Sequence, residues 1–71
     1  MTKPIRFLRQ REVSERTGLS KPTMYRLIRA GEFPPAIPIS QGTVAWPDYA
    51  VDDWIAAQLR AHGYAIPSEA A

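Results

Sequence analysis

The chain has 71 residues, no cysteine and one histidine, with a formal net charge of +2 at pH 7. That length allows one small domain with a modest core, and the composition excludes disulfides, thiolate metal sites and any metal site built on His62 alone. The N-terminal MTKPIRFLRQREV is broken by charge every few residues and holds no apolar run of signal-peptide or membrane-spanning length, so the sequence predicts a cytoplasmic, nucleoid-associated protein.

The small net charge conceals an asymmetry. Residues 1–31 carry eight Lys and Arg against two Glu, a net +6, whereas residues 32–71 carry one Arg against five acidic residues, a net −4. One basic face for a polyanion and one acidic face turned away from it is the expected arrangement. An unevenly charged but merely solvated surface is the alternative.

The first helix is expected over Gln10–Thr17, with Val13 buried and Leu8 packing from the segment before it. No Ser, Thr, Asp or Asn precedes it as a cap, and Glu12 with Arg16 has i,i+4 spacing. Gly18 supplies the left-handed residue that ends this helix, and Leu19 turns inward at the corner. Ser20 caps the next helix by accepting the N–H of Thr23, with Pro22 in the first turn. At about 100° per residue, Met24, Leu27 and Ile28 form an apolar stripe, while Pro22, Tyr25, Arg26 and Arg29 fall on the other side, flanked by Lys21 and Thr23. Gly31 ends the helix and Pro34-Pro35 prevents its continuation.

Two short strands follow, Ala36–Ile39 and Thr43–Trp46, with Ile37 and Ile39 alternating on one and Val44 and Trp46 on the other. A three-residue loop, Ser40-Gln41-Gly42, joins them with glycine left-handed, and Pro38 restricts its strand to an edge. The last helix is predicted from Pro47 or Asp48 to Arg60, with Val51, Trp54, Ile55 and Leu59 as its apolar stripe and Asp48 at its positive end. From Ala61 the composition turns to Ala, Gly, Pro and Ser. The expected organisation is therefore a domain over residues 1–60 and a flexible tail over 61–71.

Helix, sharp turn, helix, hairpin and closing helix is the layout of a winged helix-turn-helix, a mainly α domain with a small β-hairpin. On the blocks TGLSKPTMYRLIRAGEFP and VAWPDYAVDDWIA, in that order, residues Arg6 to Ala57 resemble the AlpA family of phage and prophage regulators, relatives of the MerR-type and excisionase-type winged helix domains. The resemblance implies that Ser20 to Ala30 is a recognition helix, that Ser40, Gln41, Gly42 and Thr43 form the wing, and that Val51, Trp54 and Ile55 close the core. The chain departs from the family pattern in two places: its wing lacks the usual positive charge, and Ala50 replaces a common acidic residue.

Cations on such a helix neutralise phosphates and release counterions, while their long side chains reach base edges in the major groove. Arg26 is assigned base readout, because its fork matches guanine O6 and N7. Thr23 suits a base edge or a thymine methyl, and Lys21, Tyr25 and Arg29 suit phosphates, with Arg9 and Arg11 adding backbone contacts. Each has a blander alternative: solvation for Lys21 and Arg29, and packing with the hydroxyl at the surface for Tyr25. Trp46 and Trp54 lie on apolar stripes and are read as core rather than as base-stacking platforms.

Catalysis finds no support. Asp52 and Asp53 are adjacent on a helix and diverge by about 100°, Ser14, Ser20 and His62 suggest no nucleophile and base, and no phosphate loop occurs. No enzyme activity, cofactor or metal is expected.

The expected function is a sequence-specific transcriptional regulator of double-stranded DNA in a prophage or mobile element. Two alternatives stand beside it: an excisionase-like factor that bends attachment-site DNA, and a protein-interaction module that binds no DNA. One recognition helix reads few bases, so homodimers or head-to-tail arrays on DNA are expected, with integrase or RNA polymerase as possible protein partners.

Overall fold

The computed structural model describes residues 4–66, in which three helices pack against a three-stranded antiparallel sheet. The elements in chain order are β1 (Phe7–Leu8), α1 (Gln10–Thr17), α2 (Lys21–Arg29), β2 (Ile37–Ser40), β3 (Thr43–Pro47) and α3 (Asp48–Ala61). The sheet order is β1-β3-β2, so β3 is central and Pro38 stands on an edge strand, where its missing N–H disrupts no second ladder. Among the described residues no helix is long and apolar enough to cross a membrane.

The core consists of Leu8, Val13, Met24, Phe33, Trp46 and Val51, one residue from every element except the edge strand β2, plus Phe33 from the loop after α2. Leu19, Tyr25, Leu27, Ile28, Ala36, Trp54 and Ile55 pack around it, half-buried. Leu8 lies opposite Trp46 across the β1–β3 pairing, so the sheet presents both to the helices.

Several local features differ from the sequence expectation. β1 was not foreseen; two residues are too short for a period to show, and pairing with β3 creates the strand. Glu12 and Arg16 do not pair with each other. Glu12 joins the guanidinium of Arg6, and Arg16 reaches Asp52 on α3. The cause is tertiary: the Asp48 N–H donates to the Arg6 carbonyl at 2.8 Å, which holds the N-terminal segment beside the start of α1. Glu12, at the third helical position, reaches back to the cap residue, its Oε1 accepting the Arg9 backbone N–H at 3.1 Å.

The hairpin connection is shorter than three residues. Ser40 pairs with Thr43, leaving Gln41-Gly42 between the strands, and a register shift between Pro38 and Ser40 absorbs the extra residue while Gly42 takes φ +75°. Val44 does not join Trp46 in the core. It is 40% exposed, opposite an exposed Pro38, because this end of the hairpin projects past the core. At the other end of the chain, α3 runs one residue beyond Arg60, and the Tyr64 N–H returns to the Leu59 carbonyl at 2.8 Å around a left-handed Gly63. Residues 61–66 of the expected tail thus include a hydrogen-bonded turn, and residues 67–71 lie outside the described residues.

Candidate nucleic-acid interface

The α1–α2 corner is defined by hydrogen bonds that the sequence itself supplies. The Thr17 hydroxyl donates to the Val13 carbonyl at 2.8 Å and accepts the Leu19 N–H at 3.2 Å, while Gly18, at φ +77°, sends its N–H to the Ser14 carbonyl. The chain leaves α1 in a left-handed turn at Gly18 and enters α2 three residues later, at Lys21, with Leu19 packed against the core. Ser20 then caps α2. Its oxygen accepts the Thr23 N–H at 3.4 Å, and its hydroxyl donates to Thr23 Oγ1 at 2.9 Å.

The far end of α2 is held as firmly. Gly31, at φ +76°, donates to the Ile28 carbonyl and Glu32 to the Leu27 carbonyl at 2.8 Å, the paired pattern that satisfies the last carbonyls of a helix. Both tryptophans fix the loop that follows: Trp46 Nε1–H donates to the Pro34 carbonyl and Trp54 Nε1–H to the Glu32 carbonyl, each at 2.8 Å. Phe33 inserts between these anchors, its ring edge-on to Trp54 at 4.9 Å. Both tryptophans therefore have the structural surroundings expected of them, with Trp46 fully buried.

With Met24 buried and Leu27 and Ile28 half-buried, the opposite arc of α2 presents Pro22, Arg26, Arg29 and Ala30 to solvent, with Lys21 exposed at the entrance. Tyr25 is not on that arc. It is half-buried, with its ring 6.5 Å from that of Trp46, so packing accounts for its ring. Thr23 is half-buried with its oxygen engaged by Ser20. Arg9 and Arg11 are exposed at the start of α1, and Ser40, Gln41 and Gly42 are exposed at the hairpin tip, with Thr43 half-buried.

Electrostatically the cations fall into two sets. Arg6 and Arg16 are committed to Glu12 and Asp52. Lys21, Arg26, Arg29, Arg9 and Arg11 have no acidic partner among the described residues. The chain thus carries a short rigid helix with unpaired cations on its outer arc, held at both ends. Sequence periodicity finds that arc but misses Phe33 and misplaces Tyr25: a single aromatic in a loop has no period, and an aromatic at the border of a helix stripe is turned inward by a partner remote in sequence. Among the described residues no three His, Asp or Glu side chains gather in a group that could hold a metal.

The family model described as prophage CP4-57 regulatory protein (AlpA) matches residues 6–59. A protein of Enterobacteria phage P4, described as uncharacterized protein ORF88, is 46% identical over 61 residues, covering 83% of this chain and 69% of the phage protein. No solved structure matches the chain.

Proposed function

The chain belongs to the AlpA family of phage regulatory proteins, and we propose that it regulates transcription from a prophage or mobile element by binding double-stranded DNA through the outer arc of α2. In this reading α1 and α2 form a helix-turn-helix within a domain over residues 1–60, the β2–β3 hairpin is its wing, and the function requires no catalytic step. The observation that carries it is the set of unpaired cations on a helix fixed at both ends: Arg26 and Arg29 on the arc and Lys21 at its entrance. An α-helix, about 10–12 Å across with its side chains, fits the major groove, which is about 12 Å wide, and the nine residues of α2 run about 13 Å along it.

The roles divide by position. Arg26 reads a guanine edge, and Lys21 and Arg29 neutralise phosphates, with Arg9 and Arg11 extending the contact along the backbone. Thr23, held by Ser20, offers a methyl group and a hydroxyl towards a neighbouring base. The wing, Ser40 to Thr43, has no charge and contributes at most short-range contacts.

Methylation interference on a duplex from the gene's own upstream region tests this reading. Binding blocked by guanine N7 methylation at one or a few positions, with that effect abolished in Arg26→Ala, is the expected result. Binding indifferent to N7 methylation, or no binding at low salt, contradicts major-groove readout.

A further inference from the structure

Tyr25 stands at the border of the apolar stripe of α2, and its ring and its hydroxyl have different surroundings. The ring is half-buried and tilted against that of Trp46, with centroids 6.5 Å apart, and Trp46 is itself fully buried and tied to the Pro34 carbonyl at 2.8 Å. The hydroxyl makes no hydrogen bond among the described residues. None of their side-chain oxygens or nitrogens is buried without a partner, so this oxygen is open to solvent.

Tyr25 also lies four residues after Lys21 and four before Arg29. Residues at that spacing are neighbours on a helix surface, so Lys21, Tyr25 and Arg29 form one row along α2, about 12 Å from end to end. Both cations of the row are exposed and have no acidic partner among the described residues. Side chains on a helix lean towards its N-terminus, which carries the phenol over the turn of Lys21. Arg26 is about 100° further round, so the row forms one flank of the arc on which Arg26 is central.

We propose that the Tyr25 hydroxyl donates to a backbone phosphate of the DNA strand along this flank, as an uncharged ligand between the cations Lys21 and Arg29. The inference rests on the DNA-binding reading above and adds to it a contact of another kind. A helix lying in the major groove meets base edges with the centre of its outer arc and the sugar-phosphate walls with its flanks, and tyrosine hydroxyls donate to phosphate oxygens. The two cations hold an anion at this flank, and a ring already held by Trp46 loses little freedom on binding. Lys21 and Arg29 release counterions when they meet phosphate, whereas a neutral hydroxyl releases none. Tyr25 thus adds affinity that salt does not remove and fixes the helix against one strand.

The test compares the wild-type chain with Tyr25→Phe, Lys21→Ala and Arg26→Ala on cognate and scrambled duplexes over a range of salt concentrations, with ethylation interference on the cognate duplex. Tyr25→Phe keeps the ring on Trp46, so its thermal melt should match that of the wild type. Its affinity should be lower by about three- to tenfold, the size of one net hydrogen bond, at every salt concentration and on both duplexes, with an unchanged salt slope. One phosphate should drop out of its interference pattern, next to those lost with Lys21→Ala and on the same strand. A Tyr25→Phe variant that binds like the wild type, while Lys21→Ala flattens the slope by about one unit, overturns this inference and leaves DNA binding by α2 standing. A loss confined to the cognate duplex overturns it by placing the hydroxyl on a base, and a flatter slope overturns it by showing that Tyr25 acts only through its cationic neighbours. A wild-type chain that binds neither duplex at low salt overturns both readings.

Discussion

The outer arc of α2 and the β2–β3 hairpin are the two elements that a winged helix domain would turn to DNA, and they are built from opposite chemistry. The arc carries Arg26 and Arg29 with Lys21 at its entrance, all without acidic partners among the described residues, and its backbone is fixed by a serine cap, a glycine-terminated end and two tryptophan hydrogen bonds. The hairpin carries no charge from Ala36 to Pro47, has Gln41-Gly42 at its tip, and exposes Ile37, Ile39 and Val44. Charge placed on a rigid helix costs little ordering on binding, whereas an apolar hairpin gains by contact with protein. In the proposed function the helix faces the polyanion, and the uncharged hairpin adds no charge to that contact.

The largest expected effect comes from removing the support of α2 rather than its charge. Met24 is fully buried beneath the arc, and Met24→Ala should lower stability by about 2–5 kcal/mol, enough to unfold much of so small a domain at room temperature. Urea denaturation followed by tryptophan fluorescence measures it. Leu27→Ala, at a half-buried position, should cost less; an equal or larger loss would mean that the stripe is centred elsewhere.

Next in size is the arc itself. Arg26→Ala should reduce discrimination between cognate and scrambled duplexes by about 1–3 kcal/mol, while Lys21→Ala should weaken binding to all duplexes alike and reduce the salt slope by about one unit. Titration of both variants against the two duplexes checks the division, and identical effects on every sequence would dissolve it. Smaller again is a gain at the wing: Gln41→Arg should tighten binding with a salt slope steeper by about one unit if the tip lies near phosphate, and leave both unchanged if it does not. The smallest change is expected at Arg16. Its pair with Asp52 is exposed, so Arg16→Ala should alter stability by less than about 1 kcal/mol and DNA affinity hardly at all, as thermal melts and titrations will report.

How much of this was legible in the sequence follows from the range of each interaction. The corner Thr17-Gly18-Leu19-Ser20 and the Ser20 cap are local and were read correctly, as were α1, the left-handed glycines at 18 and 42, and Gly31 as the end of α2. Met24, Val13, Val51 and Trp46 were found by periodicity. What escaped depends on partners far away in the chain. β1 exists only because β3 pairs with it, Phe33 is buried because Trp54 lies over it, and Arg16 turns to Asp52, 36 residues on, instead of the nearer Glu12. The same holds at the candidate interface. Spacing placed Arg26 and Arg29 outside, but only the fold shows that Tyr25 leans on Trp46 and that Arg6 and Arg16 are engaged while the α2 cations are not.

The most direct measurement of the central claim is fluorescence anisotropy of a labelled duplex from the gene's own upstream region, titrated with the wild-type chain and with the Arg26→Glu/Arg29→Glu double variant at several salt concentrations. The account predicts salt-sensitive binding by the wild type, and loss of at least tenfold in affinity in a double variant that remains folded, with a salt slope shallower by about two units. Equal affinity and equal slope for the two proteins would contradict the assignment of DNA binding to the outer arc of α2.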